Sequence, residues 1–272
     1  MQNVVIRAIE RLDFRTKEAY KTLRTNLSFA GKNVKVISLT SCTPNEGKTS
    51  VSFQLCLSLA ESGKQTILVD ADLRKSVLRG RYKANREKYG LSHYLSGQVE
   101  LDDACCRTNV NNFDIIFAGP VPPNPSELLG GDAFRNMLEV LRMKYDYVIV
   151  DTPPLGSVID AAIVGAICDG TVIVVESGAI SYKFVQNVKE QLNKVGCRIL
   201  GCVLNKVNTN KNPYYGKYYG HYYGNYYGNG QDGTEEAQED LTPDAGSKTD
   251  GTAAETKTAV PGQNTGEKES AK

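Results

Sequence analysis

Short apolar runs alternate along this chain with longer segments of helical periodicity. Runs of β-branched and aliphatic residues predict strands at residues 34–40, 66–70, 113–117, 147–151, 171–176 and 198–205. The segments between them predict helices at residues 48–62, 132–144, 160–168 and 182–194. Runs such as VIVD and VIVV are apolar at successive positions, so their strands are expected to be covered on both faces. The pattern predicts an α/β fold in which a mainly parallel sheet has helices on both faces.

Composition divides the chain into four segments. Residues 1–32 carry an amphipathic helix at 16–30 and form an N-terminal segment, and residues 33–212 carry the alternating pattern of the main domain. Residues 213–228 are a tyrosine cluster, and residues 229–272 are an acidic tail predicted to be disordered, because large apolar side chains are almost absent from it. The tail has ten acidic and four basic residues, a net charge of −6; because the whole chain carries +1, the rest carries +7.

The bulk numbers exclude several classes of protein. A net charge of +1 argues against a protein that coats nucleic acid. No stretch reaches the roughly 18 consecutive apolar residues of a membrane span, and the first residues lack a signal-peptide core, so we expect a soluble protein. The seven cysteines form no C-x-x-C pair, which favours a reducing compartment and a packing role for most of them; the role of Cys42 stays open.

A phosphate-binding loop from Ser41 to Thr49 joins a predicted strand to a predicted helix. Gly47, Lys48 and Thr49 open the helix, where backbone N–H groups and the helix dipole suit phosphates. The Lys48 ammonium can reach the β- and γ-phosphates, and the Thr49 hydroxyl can hold Mg²⁺. Ser41 stands where the usual pattern has its first Gly, so an ordinary βα turn is the alternative. The predicted contacts with ATP are Thr43, Pro44, Asn45, Glu46, Gly47, Lys48, Thr49 and Ser50.

Three aspartates stand at or just beyond the ends of two further predicted strands. ILVDADLR places Asp70 and Asp72 two residues apart, and YVIVDTPP places Asp151 as the Walker B acid. Neighbouring carboxylates raise each other's pKa unless a cation or a proton lies between them, which a magnesium site provides. Any one of the three could cap a helix instead. Together, behind a phosphate loop, they predict a site for ATP and Mg²⁺.

The motifs TPNEGKT, ILVDADLR and VIVDTPP, followed by a tyrosine-rich carboxyl end, resemble those of bacterial tyrosine kinases of capsule and exopolysaccharide systems. The resemblance covers roughly residues 13–228 and includes GLSHYLSG at 90–97 and AGPVPPNPSELL at 118–129. It implies a P-loop NTPase fold of the deviant Walker type, in the superfamily of MinD and ParA. Septum-placement and partition ATPases of that superfamily are not expected to carry D-x-D-x-R or a tyrosine cluster.

The resemblance also implies roles for the acids. Asp72 and Asp151 would hold Mg²⁺ with Thr49, and Asp70 would be the base that faces the tyrosine hydroxyl. Since the pKa of tyrosine is about 10, its proton must pass to a nearby carboxylate during attack on the γ-phosphoryl group. Spacing alone leaves open which of Asp70 and Asp72 is the base.

Two residues flank these motifs. Arg74 is counted among the catalytic residues with Lys48 and the two acids. It would steady the acids or face a neighbouring subunit, and a salt bridge at a helix start is an equal alternative. Asn205 follows the last predicted strand, and its side-chain amide could read the adenine, against the alternative of a simple turn.

The first predicted helix carries a charged pattern. The family uses E-x-x-R-x-x-R there for ring assembly, and Glu18, Lys21 and Arg24 occupy those positions here. Lys21 replaces an arginine and lacks the planar fork for two-pronged carboxylate pairing, so the subunit contact is expected to be weaker or made differently. A solvated helical face is the alternative.

The tyrosine cluster has a period of four residues and contains more than half of the 15 tyrosines. Gly at every fourth position disfavours a helix, so a buried role is not expected. A sticky low-complexity tract or a single-stranded nucleic-acid contact through Lys217 and His221 are the alternatives to an acceptor segment. The predicted acceptors are Tyr214, Tyr215, Tyr218, Tyr219, Tyr222, Tyr223, Tyr226 and Tyr227.

We therefore expect an ATP-dependent protein-tyrosine kinase that autophosphorylates its cluster between subunits of a homo-oligomeric ring and regulates capsular or exopolysaccharide synthesis and export. The resemblance implies a transmembrane activator of the polysaccharide co-polymerase type, which would recruit this cytoplasmic protein to the inner face of the membrane. It also implies a cognate phosphotyrosine phosphatase, and no nucleic-acid partner is expected. The alternatives are a switch ATPase of the MinD and ParA type, which transfers phosphate to water, and an ATP-dependent scaffold.

Overall fold

The computed structural model describes residues 1–85 and 87–208, and the tyrosine cluster and acidic tail lie outside these residues. The strands are β1 (Gln2–Val4), β2 (Val36–Ser41), β3 (Thr66–Asp70), β4 (Cys106–Thr108), β5 (Phe113–Ile116), β6 (Tyr147–Asp151), β7 (Gly170–Glu176) and β8 (Ile199–Asn205). The helices are α1 (Phe14–Phe29), α2 (Lys48–Glu61), α3 (Leu78–Arg81), α4 (Leu91–Leu95), α5 (Leu101–Ala104), α6 (Pro125–Gly130), α7 (Asp132–Lys144), α8 (Asp160–Gly165) and α9 (Tyr182–Lys194).

The strands of the described residues form one sheet in the order β1-β4-β5-β3-β6-β2-β7-β8. Neighbouring strands run parallel, except that β4 and β5 are antiparallel. The phosphate loop follows β2, which lies between β6 and β7. Because the carboxyl ends of parallel strands meet at one edge of the sheet, the loop, the end of β3 and the end of β6 converge there.

Both faces of the sheet are buried, as the apolar runs predict. Alternate side chains of a strand point to opposite faces, so Leu68 packs with Phe53 of α2 on one face, and Val69 packs with Phe134 of α7 on the other. Helix α1 also lies on the first face, where Leu27 joins the same cluster. The predicted α/β class and the coverage of both faces are confirmed.

The predicted elements differ from the structure mainly at their ends and at the edge of the sheet. The helix predicted to reach residue 168 ends at Gly165, and several strand ends differ by one or two residues. The strands β1 and β4, of three residues each, were not predicted, because so short a run carries little periodic signal. The four short helices α3 to α6 were missed for the same reason. Since β1 pairs with β4 and α1 packs on α2, the N-terminal segment is built onto the same core as the sheet.

The cysteines are all free thiols. Cys42 is fully buried in an apolar cluster with Leu155 and Val188, and burial raises the pKa of its thiol to about 12. The structure therefore supports a packing role for Cys42, because a buried thiol with a raised pKa stays protonated and unreactive at neutral pH. Among the described residues, no helix has the length and the apolar character that crossing a membrane requires.

Candidate active site

The phosphate loop turns through two left-handed residues before α2 begins. Asn45 has φ 69° and Gly47, the N-cap residue of α2, has φ 88°. A Cβ added at Gly47 would overlap the side-chain amide nitrogen of Asn205, so this position requires glycine for both backbone conformation and space. The turn leaves the backbone N–H groups at the start of α2 facing the carboxyl edge of the sheet, where they can bind phosphate oxygens.

A buried carboxylate inside the loop holds it in shape. Glu46 is 2% exposed, and its Oε1 accepts hydrogen bonds from the backbone N–H and the hydroxyl of Thr43. Its Oε2 accepts a hydrogen bond of 3.0 Å from the backbone N–H of Glu176, at the end of β7. The side chain of Glu46, predicted to contact ATP, is therefore engaged within the protein, which leaves its backbone for the nucleotide.

The end of β8 supports the loop from the same side. The side-chain amide of Asn205 donates to the carbonyl oxygen of Glu46 at 2.8 Å, and Lys206 donates to the carbonyl oxygen of Asn45 at 2.7 Å. Lys206 also forms an ion pair of 2.7 Å with Glu176. Asn205 thus lies at the loop, as an adenine-reading residue must, while its amide nitrogen is occupied by the loop itself.

A buried ion pair joins the loop to the Walker B strand. Lys48 Nζ lies 2.9 Å from Asp151 Oδ1, and both side chains are almost fully buried. Ser52 Oγ donates to the same oxygen at 3.1 Å. Sequence reasoning missed Ser52, although it follows Lys48 by four residues and so lies on the same side of α2. Asp151 thus supplies the negative charge that the buried Lys48 ammonium requires.

Asp70 lies next to this pair, at the end of β3. It stands opposite Asp151 in the register of β3 and β6, and Ser76 donates a hydrogen bond of 2.5 Å to its Oδ2. Burial, and then the charge of Asp151, raise the pKa of Asp70 to about 7, although Ser76 and Lys48 act in the opposite direction. A carboxyl group with a pKa near neutrality is suited to take up and release a proton at physiological pH. Ser76 carried no sequence signal.

Asp72 lies in the loop after β3 and is partly exposed. Its Oδ1 accepts a hydrogen bond of 3.0 Å from the backbone N–H of Lys75, and its own N–H donates to Asp70 at 3.3 Å. No three His, Cys, Asp or Glu side chains gather into a metal cage within the described part of the chain.

Magnesium does not require such a cage. It is usually held by one or two carboxylates together with waters and substrate phosphates. Asp70 and Asp151 are two buried carboxylates beside a single ammonium group, that of Lys48, so the site has an excess of negative charge and hard oxygen donors. The residues present therefore fit Mg²⁺, and Thr49, Asp72 and Asp151 remain its predicted ligands.

Arg74 makes its hydrogen bonds away from these acids. Its Nε and Nη2 donate to the two carboxylate oxygens of Asp160 at 2.7 and 3.0 Å, and Nη2 also donates to Ser126 at 2.9 Å. Burial alone would raise the pKa of Asp160, but the hydrogen bonds from Arg74 and Ser126 outweigh it and hold that pKa below its usual value. Arg74 therefore ties the loop after β3 to α6 and α8, which agrees with the salt bridge held open as an alternative.

The charged pattern on α1 is divided between two uses. Lys21 pairs with Glu18 on the same helix at 2.6 Å, whereas Arg24 donates to the backbone carbonyl of Ser58 in α2 at 2.7 Å. Arg24 thus contributes to packing within the chain. The predicted role of the three residues in assembly stays a prediction.

Comparison with known proteins places this site in a family. The protein-family profile described as "AAA domain" matches residues 34–201. The tyrosine-protein kinase CpsD of Streptococcus agalactiae is 44% identical over 208 residues, which cover 75% of this chain and 91% of that protein. CpsD of Streptococcus pneumoniae serotype 4 is 42% identical over 209 residues, covering 76% and 92%. This chain belongs to the bacterial tyrosine-kinase family.

Solved structures agree with this membership. The kinase domain of the Escherichia coli tyrosine kinase Etk superposes with a TM-score of 0.68 at 36% identity, covering 74% of this chain and 82% of that chain. The cell division ATPase MinD of Pyrococcus furiosus has a TM-score of 0.53 at 26% identity, with 63% and 71% covered. The chain is a tyrosine-protein kinase with a nucleotide-binding P-loop, on a fold that this kinase family shares with MinD.

Proposed function

We propose that this tyrosine kinase transfers the γ-phosphoryl group of Mg-ATP to the tyrosine cluster of a neighbouring copy and thereby regulates the synthesis and export of a capsular or exopolysaccharide. The observation that carries the proposal is Asp70, a buried carboxyl group with a pKa of about 7 beside the Lys48 and Asp151 pair. A hydrolase acting on water and a kinase share the phosphate loop, but the tyrosine cluster supplies an acceptor other than water.

Each residue has a role in the transfer. Lys48 and the backbone N–H groups at the start of α2 hold the β- and γ-phosphates in line with the incoming oxygen. Asp70 takes the proton of the tyrosine hydroxyl as its oxygen bonds to the γ-phosphorus, while the bond from that phosphorus to the bridging oxygen breaks and ADP leaves. Mg²⁺ bound to Thr49, Asp72 and Asp151 would supply charge neutralisation at the phosphates. Asn205 would contact the adenine from the end of β8.

Chain length favours transfer between subunits. The acceptor segment follows β8, so it starts at the edge of the sheet where the nucleotide binds. From residue 206 to residue 214 the chain can extend at most about 30 Å. Folding back into the chain's own site is harder over this length than entering a neighbour's. Glu18, Lys21 and Arg24 would hold the subunits of the ring together.

Family membership supports two proposed partners. A transmembrane activator of the polysaccharide co-polymerase type would bring the kinase to the inner face of the membrane and complete its site, and a phosphotyrosine phosphatase would reverse the modification. Full phosphorylation would add roughly −12 to −16 to each subunit, which should drive the subunits of a ring apart.

A mixing experiment tests transfer between subunits. One preparation carries Lys48→Met and an intact cluster, and the other has active Lys48 but Phe in place of the eight tyrosines. With Mg-ATP and the cytosolic segment of the activator, the mixture should gain phosphate on residues 214–227 of the first protein, while neither preparation alone should be labelled. Release of inorganic phosphate without labelled protein would favour a switch ATPase instead.

A further inference from the structure

A basic cavity opens beside Asp70, on the side away from β8. Its volume is about 900 Å³, and its lining residues are drawn from three segments, within 76–81, 87–93 and 117–120, at the carboxyl ends of β3 and β5. We infer that this cavity, given the proposed kinase function, binds the acceptor segment of a second copy through acidic groups that follow the acceptor tyrosine. Because the adenine is expected at β8, the cavity is free to take the second substrate.

The cavity reaches the reacting groups at two points. Ser76 lines it and donates its hydroxyl hydrogen to Asp70 at 2.5 Å. Arg81 also lines it, and its guanidinium donates to the hydroxyl of Ser50, the residue after Thr49 at the start of α2. A tyrosine whose ring enters past Ser76 would therefore place its hydroxyl between Asp70 and the phosphates.

The charges of the lining residues select an anionic ligand. Arg79, Arg81 and Lys88 line the cavity, and Glu87 is the one acid among its lining residues. Lys88 Nζ lies 4.9 Å from the centre of the Tyr89 ring, so this cation is held at the cavity by an aromatic face. The cavity has a net charge of +2 with His93 neutral.

Glu87 adds a requirement for a hydrogen-bond donor in the ligand. Its side chain is only 9% exposed, and its Oε2 is buried and accepts no hydrogen bond from the described residues. Its other oxygen lies 3.6 Å from Arg79, too far for a hydrogen bond. A buried acceptor of this kind requires a donor, and a polypeptide N–H supplies one. An extended peptide with acidic side chains would therefore satisfy both the cations and Glu87.

The chain's own sequence contains such a segment. Asp232, Glu235 and Glu236 follow Tyr227 by five, eight and nine residues, whereas the cluster itself contains no acidic residue. Tyr226 and Tyr227 are therefore the acceptors nearest to carboxylates, and they should react first. A phosphate on Tyr227, carrying about −1.5 to −2, would then stand four residues after Tyr223 and take the place of the carboxylates. Phosphorylation should proceed from Tyr227 towards Tyr214.

Peptide binding tests the cavity without requiring catalysis. The probe is a fluorescent peptide of residues 222–236, and its matched control carries Asp232→Asn, Glu235→Gln and Glu236→Gln. The control loses three exposed ion pairs, so we expect it to bind roughly tenfold more weakly to the full chain at low salt, with the difference shrinking at high salt. With Mg-ATP and the activator segment, the same ratio should appear in KM rather than in kcat. Equal Kd values for the two peptides would overturn the inference.

A charge exchange separates recognition from a folding defect. Lys88→Glu should weaken the acidic peptide about tenfold and should favour a peptide with Lys at the three acidic positions. Lys64→Glu, an equal change on an exposed residue at the opposite edge of the sheet, should do neither. A Lys88→Glu protein that loses affinity for both peptides alike would contradict the role of this cavity.

The order of modification is read by mass spectrometry of the full chain over time. The first phosphate should appear on Tyr226 or Tyr227, and Phe at both positions should delay phosphate on Tyr222 and Tyr223 several-fold. A first phosphate on Tyr214 would overturn the inference while leaving the kinase proposal intact. If peptides bind as expected but no tyrosine gains phosphate, the proposal of autophosphorylation fails and the binding cavity stands.

Discussion

Replacing Asp70 by Asn should stabilise the nucleotide-free kinase, and the gain should grow with pH. The folded protein holds the carboxyl of Asp70 at a pKa of about 7, against an ordinary value of 3.8. Between these two values the folded chain keeps a proton that the unfolded chain releases. Stability contributed by this group is therefore lost as pH rises through the window, and the loss levels off above about pH 7.

The magnitude follows from the width of the window. One unit of pKa corresponds to about 1.4 kcal/mol. The raised pKa of Asp70 therefore lowers the free energy of unfolding by about 4 kcal/mol near pH 8 and by roughly 2 kcal/mol near pH 5. Asn has nearly the same shape and can still accept the hydrogen bond from Ser76, but it carries no charge. The stability difference between Asp70→Asn and the unchanged protein should therefore grow by about 2 to 3 kcal/mol from pH 5 to pH 8.

Urea unfolding at a series of pH values measures this difference. The slope against urea should be the same for both proteins, so a change in midpoint reports stability. Ser76→Ala is the matched control, because it removes the hydrogen bond that lowers the pKa of Asp70 and should extend the loss of stability to higher pH. A difference between Asp70→Asn and the unchanged protein that does not vary with pH would refute the reasoning.

Three further substitutions test other parts of the structure. In Gly165→Ala the new Cβ would lie 2.6 Å from Cys197 Sγ and 2.9 Å from Thr171 Oγ1, so the thermal midpoint should fall by several degrees, and adding Cys197→Ala should recover part of the loss. Asp169→Ala removes the carboxylate that accepts hydrogen bonds from the backbone N–H groups of residues 35 and 36. Urea unfolding should therefore show a free energy of unfolding lower by about 2 kcal/mol, and an unchanged midpoint would contradict this prediction. Arg74→Lys loses the two-pronged contact that holds the pKa of Asp160 low, so that pKa should rise. The stability that the ionised carboxylate contributes should then be lost at a higher pH on acidification, and circular dichroism should show acid unfolding at higher pH.

The fold was predictable because its signals are local. The strands Thr66–Asp70 and Tyr147–Asp151 and the helices Asp132–Lys144 and Tyr182–Lys194 match the predicted bounds, since each is a continuous apolar run or a strong helical period. The edge strands β1 and β4 were not predictable, because β1 is held by pairing with a strand about a hundred residues away rather than by its own pattern.

The site was predictable as a set of motifs but not as a set of contacts. Gly47, Lys48 and the aspartates were identified because loop chemistry and strand ends are visible in a sequence. The partners of these residues were not. Arg74 bonds to Asp160, 86 residues away, and Glu46 accepts from Glu176, 130 residues away, and no local pattern marks either pairing.

The sequence by itself determined that this chain is an α/β protein with a phosphate loop, three aspartates at or near strand ends and a tyrosine-rich carboxyl-terminal segment, because these features depend on residues close together in the chain. Only the tertiary structure decided how those groups act on each other. It placed Asp70 opposite Asp151 in a buried site, where burial and a neighbouring charge raise its pKa, and it turned Arg74 away towards Asp160. Burial and charge are properties of surroundings, and the surroundings of a side chain are supplied by distant parts of the chain.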